Sequence, residues 1–303
     1  MTLPLVFSPE VAEARANGAA IVALESTIIT HGTPWPQNVE TARRVEAEVR
    51  AHDAVPATIA IMGGKIHIGL TDAELESLGQ AKGVAKLSRA DLAACLAQGG
   101  IGATTVAATM ICAHLAGIEV FATGGIGGVH RGAETSFDIS ADLPELAATP
   151  VTVVAAGAKA ILDLPKTLEY LETAGVPVIA FGQTAFPAFW SRDSGLTAPL
   201  RMDDAATIAA AHRLRGRLGL PGGQLVANPI PAEAEIPRDE IGPVIEHALA
   251  EAAAQAISAK SVTPFLLQRI FELTEGRSLT SNIALVLNNA RLGAAIARAL
   301  AAA

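Results

Sequence analysis

Short, unbroken apolar runs alternating with helix-periodic segments constrain this chain more than any other feature. The runs at residues 19–24, 58–62, 118–122, 151–155, 176–181 and 224–227 are four to six residues long. They do not alternate in polarity, which is how strands covered on both faces read. Helical patterns fall at 9–17 and 38–52, where Val39, Ala42, Val45 and Val49 recur at helical spacing and Asn38 is placed as cap. Others start at the Thr71-Asp-Ala-Glu74 capping signal and span 89–97, 104–116, 167–174, 203–217, 237–258, 263–273 and Ser278 onward. Only the Gly63-Gly64 turn between Thr58–Met62 and Lys65–Ile68 reads as a hairpin. The pattern predicts an α/β chain, a three-layer α/β/α sandwich with a largely parallel but mixed central sheet. No repeat, linker or boundary divides residues 1–303, so a single domain is expected.

Composition narrows the class. Half of the residues are hydrophobic and only 4% aromatic, enough for a large aliphatic core. Net charge is −8 with no clustered Lys and Arg, which argues against nucleic acid as a partner. The two cysteines, Cys95 and Cys112, have neither metal-site nor disulfide spacing, which fits a reducing cytoplasm. The first residues lack the basic-then-apolar order of a leader. The longest apolar region, 101–123, is interrupted by Thr, His, Glu and Gly, so no membrane span is expected there.

Polar chemistry concentrates after the run 118–122. Gly124, Gly125, Gly127 and Gly128 are followed by His130, Glu134, Asp138, Ser140 and Asp142. Glycines after a buried strand permit close backbone approach to a ligand, or a tight turn against a neighbouring strand. The dinucleotide spacing fails because His130 stands where a third glycine belongs, and the triphosphate-loop spacing fails because Ala133 follows Gly132 where Lys belongs. Asp138 and Asp142 offer the oxygen ligands that hard cations such as Mg²⁺ or Mn²⁺ prefer, although loop acids also serve as caps. Lys159 follows a buried run through the small residues Ala155 to Ala158. A lysine in apolar, crowded surroundings has its charged form disfavoured, which frees the amine to attack a carbonyl. Glu25, just past the run 19–24, suits general acid/base work. No Gly-x-Ser-x-Gly elbow and no paired zinc ligands occur.

Several ordered segments together resemble the pseudouridine-5′-phosphate glycosidase family, also named after the indigoidine-biosynthesis protein A. They are residues 23–32 (ALESTIITHG), 36–42, 124–134 (GGIGGVHRGAE), 136–143 (SFDISADL) and 156–163 (AGAKAILD). Pro187-Ala-Phe189, Asn228-Pro-Ile-Pro231, Thr263 to Leu267, Asn282 to Val286 and Asn288-Asn-Ala290 extend the match over about residues 4–300. The resemblance implies reversible cleavage of the C–C glycosidic bond of pseudouridine 5′-phosphate, giving uracil and D-ribose 5-phosphate. It implies that Lys159 forms an imine with ribose C1′ after the sugar ring opens, the iminium acting as electron sink, and that Glu25 is the general acid/base. Substrate contacts are implied at Lys86, Val106, Ser140, Ala141 and Asp142, with His130 and Asn282 lining the pocket. Asp138 is the implied ligand of one Mn²⁺, and a homotrimer is the implied assembly. Two other readings, a non-catalytic sugar-phosphate-binding protein and a phosphosugar kinase, fit less well: Glu25 and Lys159 are both retained, and a nucleotide loop with Lys is absent.

Overall fold

The computed structural model describes residues 3–255, 257 and 262–302. Eleven strands form one sheet: β1 (Leu5–Phe7), β2 (Ile21–Leu24), β3 (Val55–Met62), β4 (Lys65–Ile68), β5 (Ala85–Leu87), β6 (Gly102–Thr104), β7 (Val120–Ala122), β8 (Thr152–Ala155), β9 (Val178–Phe181), β10 (Leu200–Met202) and β11 (Gln224–Ala227). Their order is β1-β4-β3-β2-β7-β8-β11-β9-β10, with β6 on β3 and β5 on β6. Only the β3–β4 and β3–β6 pairs are antiparallel. The largely parallel, mixed sheet expected from the apolar runs is therefore present. Strand β3 is long enough to change partners. Its first half pairs with β2 through Val55 to Thr58, and its second half holds β4 and β6 through Ile59 to Met62.

Helices cover both faces. The helix Arg277–Ala301 crosses β2, β7 and β8, flanked by Gln37–Ala51 and Ala205–Arg217. Gly293 on that helix lies against Val22, Val120 and Ala122, even-numbered residues that share one face of the pleat. The helix Val106–Leu115 packs on β2, β3 and β7, with Asp142–Ala148 beside it. Among the described residues, Arg277–Ala301 alone is long and apolar enough to span a membrane by composition. Here its apolar stripe, including Leu285, Val286, Ala290, Ala294 and Ile296, is buried against the sheet.

The capping box at Thr71 forms as expected, with Thr71 Oγ1 accepting from Glu74 N–H and Glu74 accepting from Thr71 N–H. Asn38 does not cap its helix. The helix begins at Gln37, and buried Asn38 instead donates from Nδ2 to the Ile29 and Gly79 carbonyls, binding the helix to neighbouring segments. The final long helix starts at Arg277, which puts Asn282 in its second turn. The helix expected over 237–258 is Arg238–Ala254, and its expected end at Ser258 lies outside the described residues.

Candidate active site

The parallel strands β2, β7 and β8 end side by side, with β5 and the end of β6 nearby. Above them opens a cavity of about 500 Å³. Ligands of open α/β sheets sit at the carboxyl ends of strands. All ten residues singled out in the sequence line this one cavity: Glu25, Lys86, Val106, His130, Asp138, Ser140, Ala141, Asp142, Lys159 and Asn282. Glu25, Val106 and Lys159 stand just past strand ends and Lys86 lies in β5, whereas His130 to Asp142 come from the segment after β7 and Asn282 from the helix Arg277–Ala301.

Glu25 directly follows β2. Its carboxylate accepts hydrogen bonds from the hydroxyls of Thr27 and Thr123, one to each oxygen. Thr123 follows β7, so the acid is fixed from two strand ends. The Thr123 carbonyl in turn receives Asn289 Nδ2 at 2.8 Å, and Asn289 Oδ1 accepts from Asn228 Nδ2 at 3.0 Å. The Asn228-Pro-Ile-Pro and Asn288-Asn289 motifs thus clamp the long helix to the ends of β7 and β11, satisfying buried backbone groups rather than reaching the cavity.

Lys159 stands just past β8. Its Nζ donates to the Gly125 carbonyl at 2.8 Å. The segments 124–126 and 156–159 run alongside each other through Ala156 N to Gly124 O, Ile126 N to Gly157 O and Lys159 N to Ile126 O, at 2.9 to 3.1 Å. The lysine is therefore carried on an extension of the sheet rather than a free loop.

The glycines of the 124–128 run serve close packing. A Cβ at Gly127 would collide with Ser140 and lie 2.7 Å from Asp142 Oδ2, and one at Gly128 would strike Thr167. Asp142 explains the first of these. It is buried, with Oδ2 accepting from Gly127 N–H at 2.7 Å and Oδ1 from Ala107 N–H at 3.0 Å. Expected as a substrate contact, its carboxylate also ties the glycine loop to the first turn of Val106–Leu115. Those two hydrogen bonds occupy both oxygens.

His130 and Asp138 face each other across a small hairpin, with His130 N donating to Asp138 O at 3.0 Å and the ring Nδ1 4.0 Å from the carboxylate. Burial holds the His130 imidazole below its ordinary value, aided by the charges of Lys159 and Lys86 and opposed by Asp138. The Asp138 carboxylate is 40% exposed. Among the described residues no group of three His, Cys, Asp or Glu converges as a protein cage for a metal. One exposed carboxylate lining an open cavity suits a hard divalent cation that keeps most of its water, not a closed zinc site.

Sequence reasoning missed His31 and Phe189, which line the cavity together with Thr27. The His31 ring bonds Thr30 Oγ1 at 2.6 Å, and burial together with the Lys86 charge holds it below its ordinary value. Its place in the Ile28-Ile29-Thr30-His31-Gly32 stretch beside Glu25 was the available signal.

A layered α/β sheet whose strand ends gather a carboxylate, a lysine and helix N-termini around one cavity defines the class of small-ligand-binding α/β proteins whose site lies at the carboxyl edge. Within it, the chain belongs to the indigoidine synthase A like protein family, whose model matches residues 10–299. It is 77% identical to the pseudouridine-5′-phosphate glycosidase of Jannaschia sp. (strain CCS1), covering 99% of both chains. It is 74% identical to the protein of that name from Paracoccus denitrificans (strain Pd 1222), over 98% of this chain and 99% of the relative. Its fold matches a prealnumycin C-glycosynthase solved in complex with ribulose 5-phosphate, with a TM-score of 0.92, 40% identity and coverage of 100% and 98%.

Proposed function

We propose that the protein is a pseudouridine-5′-phosphate glycosidase that breaks the bond between ribose C1′ and uracil C5 through an imine on Lys159. The observation that carries this reading is the meeting of Glu25 and Lys159 in one cavity from separate strand ends, in a chain so similar to relatives of that name. An ordinary glycosidase expels an oxygen or nitrogen through an oxocarbenium-like state flanked by two carboxylates. Carbon is a poorer leaving group, and an amine bound to C1′ can feed its nitrogen lone pair to that carbon as the C1′–C5 pair departs. The Lys159 amine adds to C1′ as the C1′–O4′ bond breaks and the ring opens, the proton lost by the amine passing to O4′. The C1′–C5 bond then breaks with its electron pair going to uracil, whose C5 takes a proton from Glu25. Water hydrolyses the resulting imine, restoring the amine and releasing ribose 5-phosphate. The Thr27 and Thr123 hydroxyls orient the Glu25 carboxylate for that transfer.

The phosphate end is served by Lys86, which lines the cavity beside the start of Val106–Leu115. His130, Ser140, Ala141 and Asn282 complete the proposed contacts to the substrate. Asp138 would hold Mn²⁺, and a bound cation would offset phosphate charge at that edge. The proposal places the enzyme in the cytoplasm as a homotrimer, on the family resemblance.

Borohydride reduction with ribose 5-phosphate, followed by peptide mass mapping, tests the reading. One adduct is expected, on Lys159, and Lys159→Ala abolishes it; an adduct elsewhere, or none, refutes the imine. With Glu25→Ala the adduct still forms while uracil release collapses, and sustained turnover would remove Glu25 from the proton transfer.

A further inference from the structure

Phe189 has a backbone conformation that a bulky side chain avoids: its φ is +62°, in the left-handed region. Such strain persists only where surrounding structure enforces it, and the surroundings here are specific. The Phe189 N–H donates to the Ala156 carbonyl at 2.9 Å. Its ring meets Trp190 edge-on, with centroids 5.0 Å apart, and Trp190 Nε1 donates to the Ser278 carbonyl at 3.0 Å. Ser191 Oγ donates to Ile236 O at 2.6 Å and Ser194 Oγ to Phe186 O at 2.6 Å. The segment 186–194 is therefore closed on itself at its base and anchored through residues 189–191 to three other parts of the chain.

This strap presses on the two glycines that bracket the lysine. A Cβ at Gly125 would lie 2.7 Å from two atoms of the Phe189 ring. Gly157, at φ +82°, has the Pro187 carbonyl where its Cβ would be and the tip of the Phe186 ring 3.2 Å from that point. Gly125 supplies the carbonyl that holds Lys159 Nζ, and Gly157 lies two residues before Lys159.

We propose that Phe189 is a positioning residue for Lys159: held in its strained conformation, its ring fixes the Gly125 carbonyl and so aims the amine. The inference rests on the imine reading above. A lysine chain has four rotatable bonds, so fixing the acceptor of its amine removes freedom that would otherwise be lost during reaction.

The test compares Phe189→Leu, Phe189→Gly and Gly125→Ala with the unaltered enzyme, all below their melting temperatures. The readouts are the single-turnover rate of borohydride-trapped adduct with ribose 5-phosphate, and kcat and KM for pseudouridine 5′-phosphate. Phe189→Leu is expected to slow adduct formation and kcat by about tenfold or more with KM little changed. Phe189→Gly relieves the backbone strain yet is expected to slow the adduct equally, a result that a purely structural role would not give. Gly125→Ala, which displaces the ring, is expected to show the same kcat loss. Unaltered adduct rates in both Phe189 variants would overturn the proposal, as would a raised KM with kcat intact, which would make the ring a substrate contact. If the unaltered enzyme itself gives no Lys159 adduct, the imine reading fails, an outcome visible before any variant is compared.

Discussion

Replacing Asp142 with alanine separates two roles for that residue. Its carboxylate accepts from Ala107 N–H at 3.0 Å and Gly127 N–H at 2.7 Å while almost fully buried. Deleting it strands the Ala107 donor in a buried site and the Gly127 donor in a half-buried one. A hydrogen bond to a charged partner contributes about 1.5–3 kcal/mol, and an orphaned buried donor costs a similar amount. Water reaching Gly127 softens its share, so Asp142→Ala is expected to lose about 2–4 kcal/mol. The loss is read as a lowered midpoint in urea unfolding at neutral pH with an unchanged slope. Asp142→Asn keeps one acceptor oxygen but turns an NH₂ toward the other donor, so its loss falls between the alanine variant and none. If Asp142→Ala unfolds at the original midpoint while KM rises steeply, the carboxylate serves the substrate and the structural assignment is wrong.

Other outcomes follow from the same geometry. Asn289→Ala removes the bond to the Thr123 carbonyl and the acceptor for Asn228, and should cost about 2–3 kcal/mol by calorimetry, with activity falling as Thr123 loosens its hold on Glu25. Burial holds the Glu46 carboxyl above its ordinary value of 4.5, against the Thr58 hydrogen bond and the Arg50 charge. The folded protein therefore keeps that proton to higher pH than the unfolded chain. Ionisation costs nothing below 4.5 and lowers stability as pH rises through the folded value. Glu46→Gln should gain on the parent as urea midpoints are followed from acid to neutral pH, and a constant difference would refute this. The Cys112 thiol is pushed up to about 12 by burial, so iodoacetamide at mildly alkaline pH should label it only after unfolding. EDTA should lower activity and Mn²⁺ restore it; chelator-insensitive turnover would remove Asp138 from a metal role.

The sheet was legible wherever a strand is buried over four or more residues, because an unbroken apolar run has few other uses. Of the five three-residue strands only β7, inside the run 118–122, was legible; β1, β5, β6 and β10 are too short to show a period, and β5 lies inside what reads as a basic connector. The gathering of Glu25, Lys159 and the 124–142 segment at one cavity was legible because ligands of such sheets sit at the carboxyl ends of the strands. The glycines misled as a possible phosphate cradle, since nothing local announces that Ser140, Thr167 and Phe189 will fill the space beside them. Asn38 misled similarly: a capping residue type next to a helical pattern looks like a cap until tertiary partners claim its side chain. Phe189 lay outside local reasoning altogether, because its meaning depends on a neighbour 64 positions earlier in the chain, Gly125.

The side-by-side order of β2, β7 and β8 acts as a ruler. Neighbouring strands keep a fixed spacing because backbone hydrogen bonds have one length, so the ends carrying Glu25 and Lys159 stand two steps, about 10 Å, apart. On the imine reading proposed above, that span lets the amine reach one furanose carbon while a base ring is protonated from the other side. Loops can lengthen or change composition without moving either mark on the scale. Variation in the surrounding rim can therefore redirect which ring is accepted, while the reach between Glu25 and Lys159 stays constant.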